Sequence, residues 1–152
     1  MTITPDHIYD IYWANSLFSE SDRVYNQLCT KEIRERGFSV FLPQELTINK
    51  SNSPSEKEIF LKDTNAIMAC KILVACIDQE VIDCGVACEI GIAYSLGKYI
   101  IGLYTDIRRD RITYRMYKNP YVIGAILSNG IIVNTMNELL VGISEHFRDQ
   151  PY

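Results

Sequence analysis

A chain of 152 residues, 47% hydrophobic and 22% charged, has the size and apolar content of one globular domain with a full core, here taken as residues 1–152. A formal net charge of −4 excludes general attraction to nucleic-acid phosphate, which needs clustered Lys and Arg, so no nucleic-acid polymer is expected as a partner. No apolar run approaches the ~20 residues of a membrane span, and the opening Met-Thr-Ile-Thr-Pro-Asp lacks the basic and apolar regions of a signal peptide, so a soluble, cytoplasmic protein with no membrane partner is expected.

The apolar run at residues 8–14 predicts a first strand. A polar turn follows, in which Ser19 can cap a helix that reaches about Arg36 and stops at Gly37. Residues 38–42 form a short apolar strand closed by Pro43, and a polar loop at 47–55 leads into a helix over 56–69. Next come a continuous apolar strand at 72–77, a helix over 86–96 ended by Gly97, and an apolar strand at 99–104. Beyond a charged segment at 106–118, the pattern predicts a helix over 120–127, a strand at 131–133 and a last helix over 136–147.

The strand runs do not alternate polar with apolar, as expected for strands buried on both faces of a parallel sheet. Five strands, each followed by a helix, predict an α/β fold, a doubly wound, five-stranded parallel sheet with helices on both faces; among the possible strand orders the flavodoxin-like 2-1-3-4-5 is the one expected. Ligands of such sheets bind beyond the carboxyl ends of the strands, at the switch point between the first and third. The loop after the first strand carries Tyr12, Trp13, Asn15 and Ser16, and the loop after the third runs from Asp78 to Asp83.

Five cysteines, odd in number and without a C-x-x-C, suggest buried thiols rather than disulfides. Cys84 and Cys88 have the spacing of two ligands on one helical face, but only His7 and His146 exist to complete a set, so no metal is expected. The basic residues Arg108, Arg109, Arg111, Arg115 and Lys118 are interleaved with Asp106 and Asp110, which reads as a solvated loop or a mobile lid more than a phosphate site.

The residue that most needs explaining is Glu89, a carboxylate among Val86, Ala87, Cys88, Ile90, Ile92 and Ala93. Burying a charge is costly unless it is paired or hydrogen-bonded. A place in the first turn of its helix would supply free amides and a favourable dipole, with Asp83 as N-cap or just before it and Gly85 permitting a tight turn and close approach of a ligand. By itself Glu89 reads equally well as a surface residue that complements the dipole, and Asp63 as an exposed position on the preceding helix. Were Asp63, Asp83 and Glu89 to face one cavity, their pKa values would separate, leaving one ionised nucleophile and one proton carrier, the equipment for breaking a glycosidic bond.

Three segments carry a specific resemblance: Ile11-Tyr12-Trp13-Ala14-Asn15-Ser16-Leu17-Phe18, the stretch beginning Asp63-Thr64-Asn65-Ala66, and Asp83-Cys84-Gly85-Val86-Ala87-Cys88-Glu89 with its continuation to Lys98. They resemble, in register, the motif blocks of the nucleoside 2-deoxyribosyltransferases. The resemblance implies that Glu89 is the nucleophile, that Asp63 and Asp83 serve base and sugar, and that Tyr12 orients Glu89. It implies exchange of the base of 2′-deoxyribonucleosides through a covalent deoxyribosyl–Glu89 intermediate with retention, acting on deoxynucleosides and free nucleobases without a cofactor. It further implies a homo-oligomer, dimer or hexamer, whose sites are completed by an asparagine of a neighbouring subunit. Asn119 matches that role, although a helix N-cap before Pro120 explains it as well. Tyr152 matches the terminal tyrosine whose carboxylate enters the site in several members. For the base pocket, Leu17 and Phe18 offer an apolar wall and Gln44 or Glu45 polar contacts, while core packing is the commoner role for a residue such as Leu17. Two rivals remain: a nucleoside 5′-monophosphate N-glycosidase, binding phosphate through Ser16 and Ser19, and a non-catalytic nucleotide sensor.

Overall fold

The computed structural model describes residues 9–47, 54–108 and 118–148. Five strands form one parallel sheet: β1 (Tyr9–Ala14), β2 (Val40–Phe41), β3 (Cys70–Cys76), β4 (Tyr99–Leu103) and β5 (Gly130–Val133), ordered β2-β1-β3-β4-β5 as expected. Tyr12 lies opposite Leu73 across β1 and β3, and Leu73 opposite Ile100 across β3 and β4.

The connections are α1 (Glu20–Glu35), α2 (Pro43–Thr47), α3 (Glu56–Ala69), α4 (Cys84–Ser95), α5 (Pro120–Ser128) and, after β5, α6 (Met136–Arg148). Their starts are written locally. Ser19 and Ser55 each form a capping box, with Asp22 and Glu58 at the third helical position. Gly37 and Gly97 follow the ends of α1 and α4 at φ +91° and +67°, a region that only glycine enters cheaply. The short helix α2 was not anticipated. Pro43 ends the strand as expected, but its fixed φ also suits the first position of a helix, so the chain turns into α2 rather than straight into a loop.

Successive strand residues point to opposite faces, which divides the core in two. Tyr12, Ala14, Leu73 and Ile100 pack against Ala66 and Ile67 of α3, Val86 and Ile90 of α4 and Ile126 of α5. Ile11, Trp13, Ile72 and Val74 pack against Cys29 and Ile33 of α1 and Leu139 and Ile143 of α6. Adjacent residues of β1 therefore serve different layers: Tyr12 meets the α3–α4 side, Trp13 the α1 side. Among the described residues no helix is long and apolar enough to cross a membrane.

Candidate active site

Asp83 begins α4. Its Oδ1 accepts hydrogen bonds from the amides of Gly85 at 2.9 Å and Val86 at 3.2 Å, so the helix starts at Cys84, two residues earlier than expected. Glu89 consequently stands in the second turn, and the expectation that free first-turn amides stabilise it is corrected: Asp83 takes those amides, and the dipole's influence fades beyond the first turn. Gly85 has no positive φ; a Cβ there would lie 3.0 Å from Asp83 Oδ1, so glycine keeps the cap unobstructed.

What holds Glu89 is Tyr12. The phenol donates to Glu89 Oε1 at 2.6 Å, across 77 residues of sequence, and its ring is fully buried and stacked on Phe41 with centroids 5.3 Å apart. So short a bond to a carboxylate oxygen has the geometry of the strong, charge-assisted class. Beside it opens a cavity of about 300 Å³ whose lining includes Asp63, Asp83 and Glu89 together. Its remaining walls are Leu17, Phe18, Pro43, Leu46, Pro54, Ile59 and Val86, with Asn15, Ser16, Lys62 and Gly85. That is the size and the mainly apolar character of a small-molecule site.

Burial dominates the electrostatics. It pushes the Glu89 carboxyl up to about 8; the Tyr12 hydrogen bond opposes the rise, and the Asp63 and Asp83 charges add to it. Burial likewise raises Asp63 to about 6 against the pull of the Lys62 ammonium. Tyr12 is held above the ordinary phenol value by burial and by the charges of Glu89 and Asp63, so it remains a donor. The site thus contains two carboxyls that both titrate near neutrality and at different pH, the signature of carboxyls poised for proton transfer and nucleophilic attack.

Of the sequence-predicted site residues, Asp63, Asp83, Gly85, Glu89, Leu17 and Phe18 line this cavity, and Tyr12 reaches it through Glu89. Leu17 is half-buried and Phe18 is 76% exposed, so both are wall rather than core. Four others are not in the lining. Trp13 is fully buried and donates its indole N–H to Asn26 Oδ1 at 2.9 Å. Gln44 is 1% exposed; its Oε1 accepts from Asn26 Nδ2 at 2.9 Å and its Nε2 donates to the Arg23 carbonyl at 3.1 Å, so its amide faces the interior rather than a base. Glu45 is exposed and paired with Arg34 at 2.8 Å. Asn119 caps α5, accepting from the Tyr121 amide at 2.9 Å. Tyr152 lies outside the described residues, as do 109–117 of the expected lid; Arg108 pairs with Asp106 at 2.6 Å, and Lys118 donates to the carbonyls of Asp78 and Gln79.

The cysteine expectation needs one correction: Cys29, Cys70 and Cys76 are buried, but Cys84 and Cys88 are exposed, because α4 turns that side away from the sheet. Among the described residues no group of three or more His, Cys, Asp or Glu could hold a metal. Lining residues that the sequence did not single out are Ile59 and Lys62, one turn and one residue before Asp63, Pro43 and Leu46 of α2, and Pro54. Helical spacing back from Asp63 points to Ile59; nothing local marks Pro54.

A model of the nucleoside 2-deoxyribosyltransferase family matches residues 11–138. Among solved structures, a conserved protein from Enterococcus faecalis is 35% identical, covers 92% of this chain and 99% of its own, and superposes with a TM-score of 0.82. A 2-deoxyribosyltransferase from Bacillus psychrosaccharolyticus is 22% identical over 86% of this chain and 89% of its own, TM-score 0.68. A CMP N-glycosidase from Clostridium botulinum is 20% identical over 90% and 98%, TM-score 0.56; at these identities the last two speak for the fold. No curated protein matches the chain. With its motif blocks in register and the family model covering 11–138, the chain belongs to the nucleoside 2-deoxyribosyltransferase family.

Proposed function

We propose that this protein exchanges the base of 2′-deoxyribonucleosides, with Glu89 as nucleophile. The observation that carries the reading is the Tyr12 hydroxyl 2.6 Å from Glu89 Oε1, beside a cavity that Glu89 shares with Asp63 and Asp83. In the first step a Glu89 oxygen bonds to C1′, the C1′–N bond breaks, and its electron pair leaves with the base, which takes a proton from Asp63. A second base then attacks C1′, gives its proton back to Asp63 and releases Glu89; two inversions give retention. Asp63, raised to about 6, is protonated in a minority of molecules at neutral pH, and those can donate to the leaving base, while Asp83, fixed by its cap bonds, faces the sugar hydroxyls. The aromatic base lies between the apolar walls of Leu17, Phe18 and Ile59. The reaction so written draws on no metal or organic cofactor.

The assembly we propose is a homo-oligomer, dimer or hexamer, with Asn119 entering a neighbour's site. In support, Asn119 is exposed and outside its own cavity, and the adjoining groove between α4 and α5 is lined by Ile92, Tyr94, Leu96 and Tyr121, the last 88% exposed.

The monophosphate hydrolase keeps one point in favour, the Lys62 ammonium in the cavity lining. Against it, Glu20 and Asp22 already occupy the first turn of α1, and Ser19 is committed to capping, so that helix start repels a phosphate. Incubation with deoxyinosine plus adenine, and with deoxyinosine monophosphate in parallel, separates the readings by chromatography. Deoxyadenosine that disappears in Glu89→Gln supports transfer. Base released only from the monophosphate replaces it with the hydrolase, and no turnover of either leaves the sensor.

A further inference from the structure

Two polar residues, Asn26 and Thr30, sit where the amphipathic pattern of α1 calls for apolar ones; the Thr30 hydroxyl bonds back to the Asn26 carbonyl within the helix, whereas the Asn26 side chain reaches outside it. Asn26 shares the buried face of the helix with Cys29, Thr30 and Ile33 and is itself 1% exposed. Its amide is fully used. Oδ1 accepts from the Trp13 indole at 2.9 Å and from Asn15 Nδ2 at 2.8 Å; Nδ2 donates to the Ser16 carbonyl at 3.0 Å and to Gln44 Oε1 at 2.9 Å. Each partner belongs to the end of β1, to the loop that follows it, or to α2.

Those segments are two walls of the cavity. Asn15, Ser16, Leu17 and Phe18 form one, and Pro43 and Leu46, on either side of Gln44, the other. The loop wall is held at three successive carbonyls by α1: Ser16 by Asn26, and Leu17 and Phe18 by Arg23 Nη1 at 3.1 and 2.9 Å. Asn26 binds both walls through one side-chain amide, and it does so from the face of the sheet opposite Glu89.

We infer that Asn26 is a positioning residue that sets the separation between the loop after β1 and α2, and through it the affinity for the nucleobase. The inference rests on the proposed function, since it takes the apolar end of the cavity as the base site. Asn26 touches none of the reacting atoms. A planar base stacked between apolar walls loses dispersion contact steeply if the gap widens by even half an ångström. A four-bonded buried amide resists such widening because any movement leaves a buried donor or acceptor unmatched.

The test is Asn26→Asp in the full-length protein, which keeps the acceptor for Trp13 and Asn15 but sets a carboxylate oxygen against the Ser16 carbonyl and Gln44 Oε1. With deoxyinosine saturating and adenine varied, KM for adenine rises roughly tenfold or more, while kcat stays within about threefold. The limbs of the pH profile, which belong to Asp63 and Glu89, do not move. A merely structural role would lower the amount of active protein, hence apparent kcat, and leave KM alone; an unchanged KM in folded Asn26→Asp overturns the inference. If that variant does not fold, Gln44→Leu decides: it breaks the α2 arm, together with the Gln44 Nε2 bond to the Arg23 carbonyl, and leaves the loop arm of Asn26 intact, and KM for adenine should rise roughly threefold with kcat held. Unchanged KM there overturns the inference equally. Wild-type protein inert toward every nucleoside overturns the functional reading and this inference together, whereas active wild type with unchanged KM in the variants overturns this inference alone.

Discussion

Tyr12→Phe isolates a single hydrogen bond. The ring stacks on Phe41 and is fully buried, so phenylalanine preserves the packing and removes only the hydroxyl 2.6 Å from Glu89. A hydrogen bond to a charged group is worth about 1.5–3 kcal/mol, and one pKa unit corresponds to about 1.36 kcal/mol, so the loss raises Glu89 by roughly one to two units above its present value. The sign follows from the bond favouring the ionised form. With Glu89 at about 8 and Asp63 at about 6, the reactive form, Glu89 ionised and Asp63 protonated, is a small fraction of the enzyme. Its population is flat between the two values and falls on either side, so kcat/KM has an acid limb near 6 and an alkaline limb near 8 that belong to the pair. In Tyr12→Phe the alkaline limb moves upward by that one to two units, and kcat/KM at pH 7 drops by roughly 10- to 100-fold. Initial rates of deoxyinosine-to-adenine transfer across pH 5–10 measure both. A rate at pH 7 within threefold of wild type, with the alkaline limb unmoved, refutes the role assigned to Tyr12.

Glu89→Gln should abolish transfer and stabilise the fold. Because the folded value of Glu89, about 8, lies above the unfolded 4.5, its penalty is absent below pH 4.5, grows as pH rises toward 8 and is constant above. The variant therefore gains on the order of 1–3 kcal/mol at pH 9 and little at pH 4, read as a melting-temperature difference that widens with pH. Asp83→Asn retains a good N-cap and should melt within about 0.5 kcal/mol of wild type, whereas Asp83→Ala loses about 1 kcal/mol; both should lose most of their activity, and an active Asp83→Asn would reduce this residue to its cap. Asn119→Ala and Glu89→Gln, each inactive alone, should regain activity when mixed and allowed to exchange subunits, since one composite site then has all its parts; no recovery after demonstrated exchange would show that Asn119 does not act in trans.

Several features were legible from neighbouring residues alone. The capping serine Ser19, the stops at Gly37 and Gly97, and the apolar run into β3 announced the elements, and the absence of polar alternation announced a parallel sheet covered on both faces. Glu89 stood out as a carboxylate in an apolar helix. Asn26 was also detectable, as a polar residue in step with Cys29, Thr30 and Ile33, yet its neighbours in sequence gave no hint of what it binds.

By itself, then, the sequence determined most of the elements, a parallel sheet covered on both faces, and the carboxylates from which a site could be built, because these depend on contiguous residues and on general rules of strand connection, whereas alternation left several sheet orders open. The tertiary structure alone decided which polar groups are committed elsewhere. Gln44 and Trp13 read as ligand contacts until Asn26 is brought against them, and Glu89 read as an anion at a helix start until Asp83 moved that start and Tyr12, on the face of β1 that α4 covers, was brought against it. The physical reason is that hydrogen-bond commitment and burial are set by partners distant in the chain, and burial is also what carries the Glu89 carboxyl to about 8.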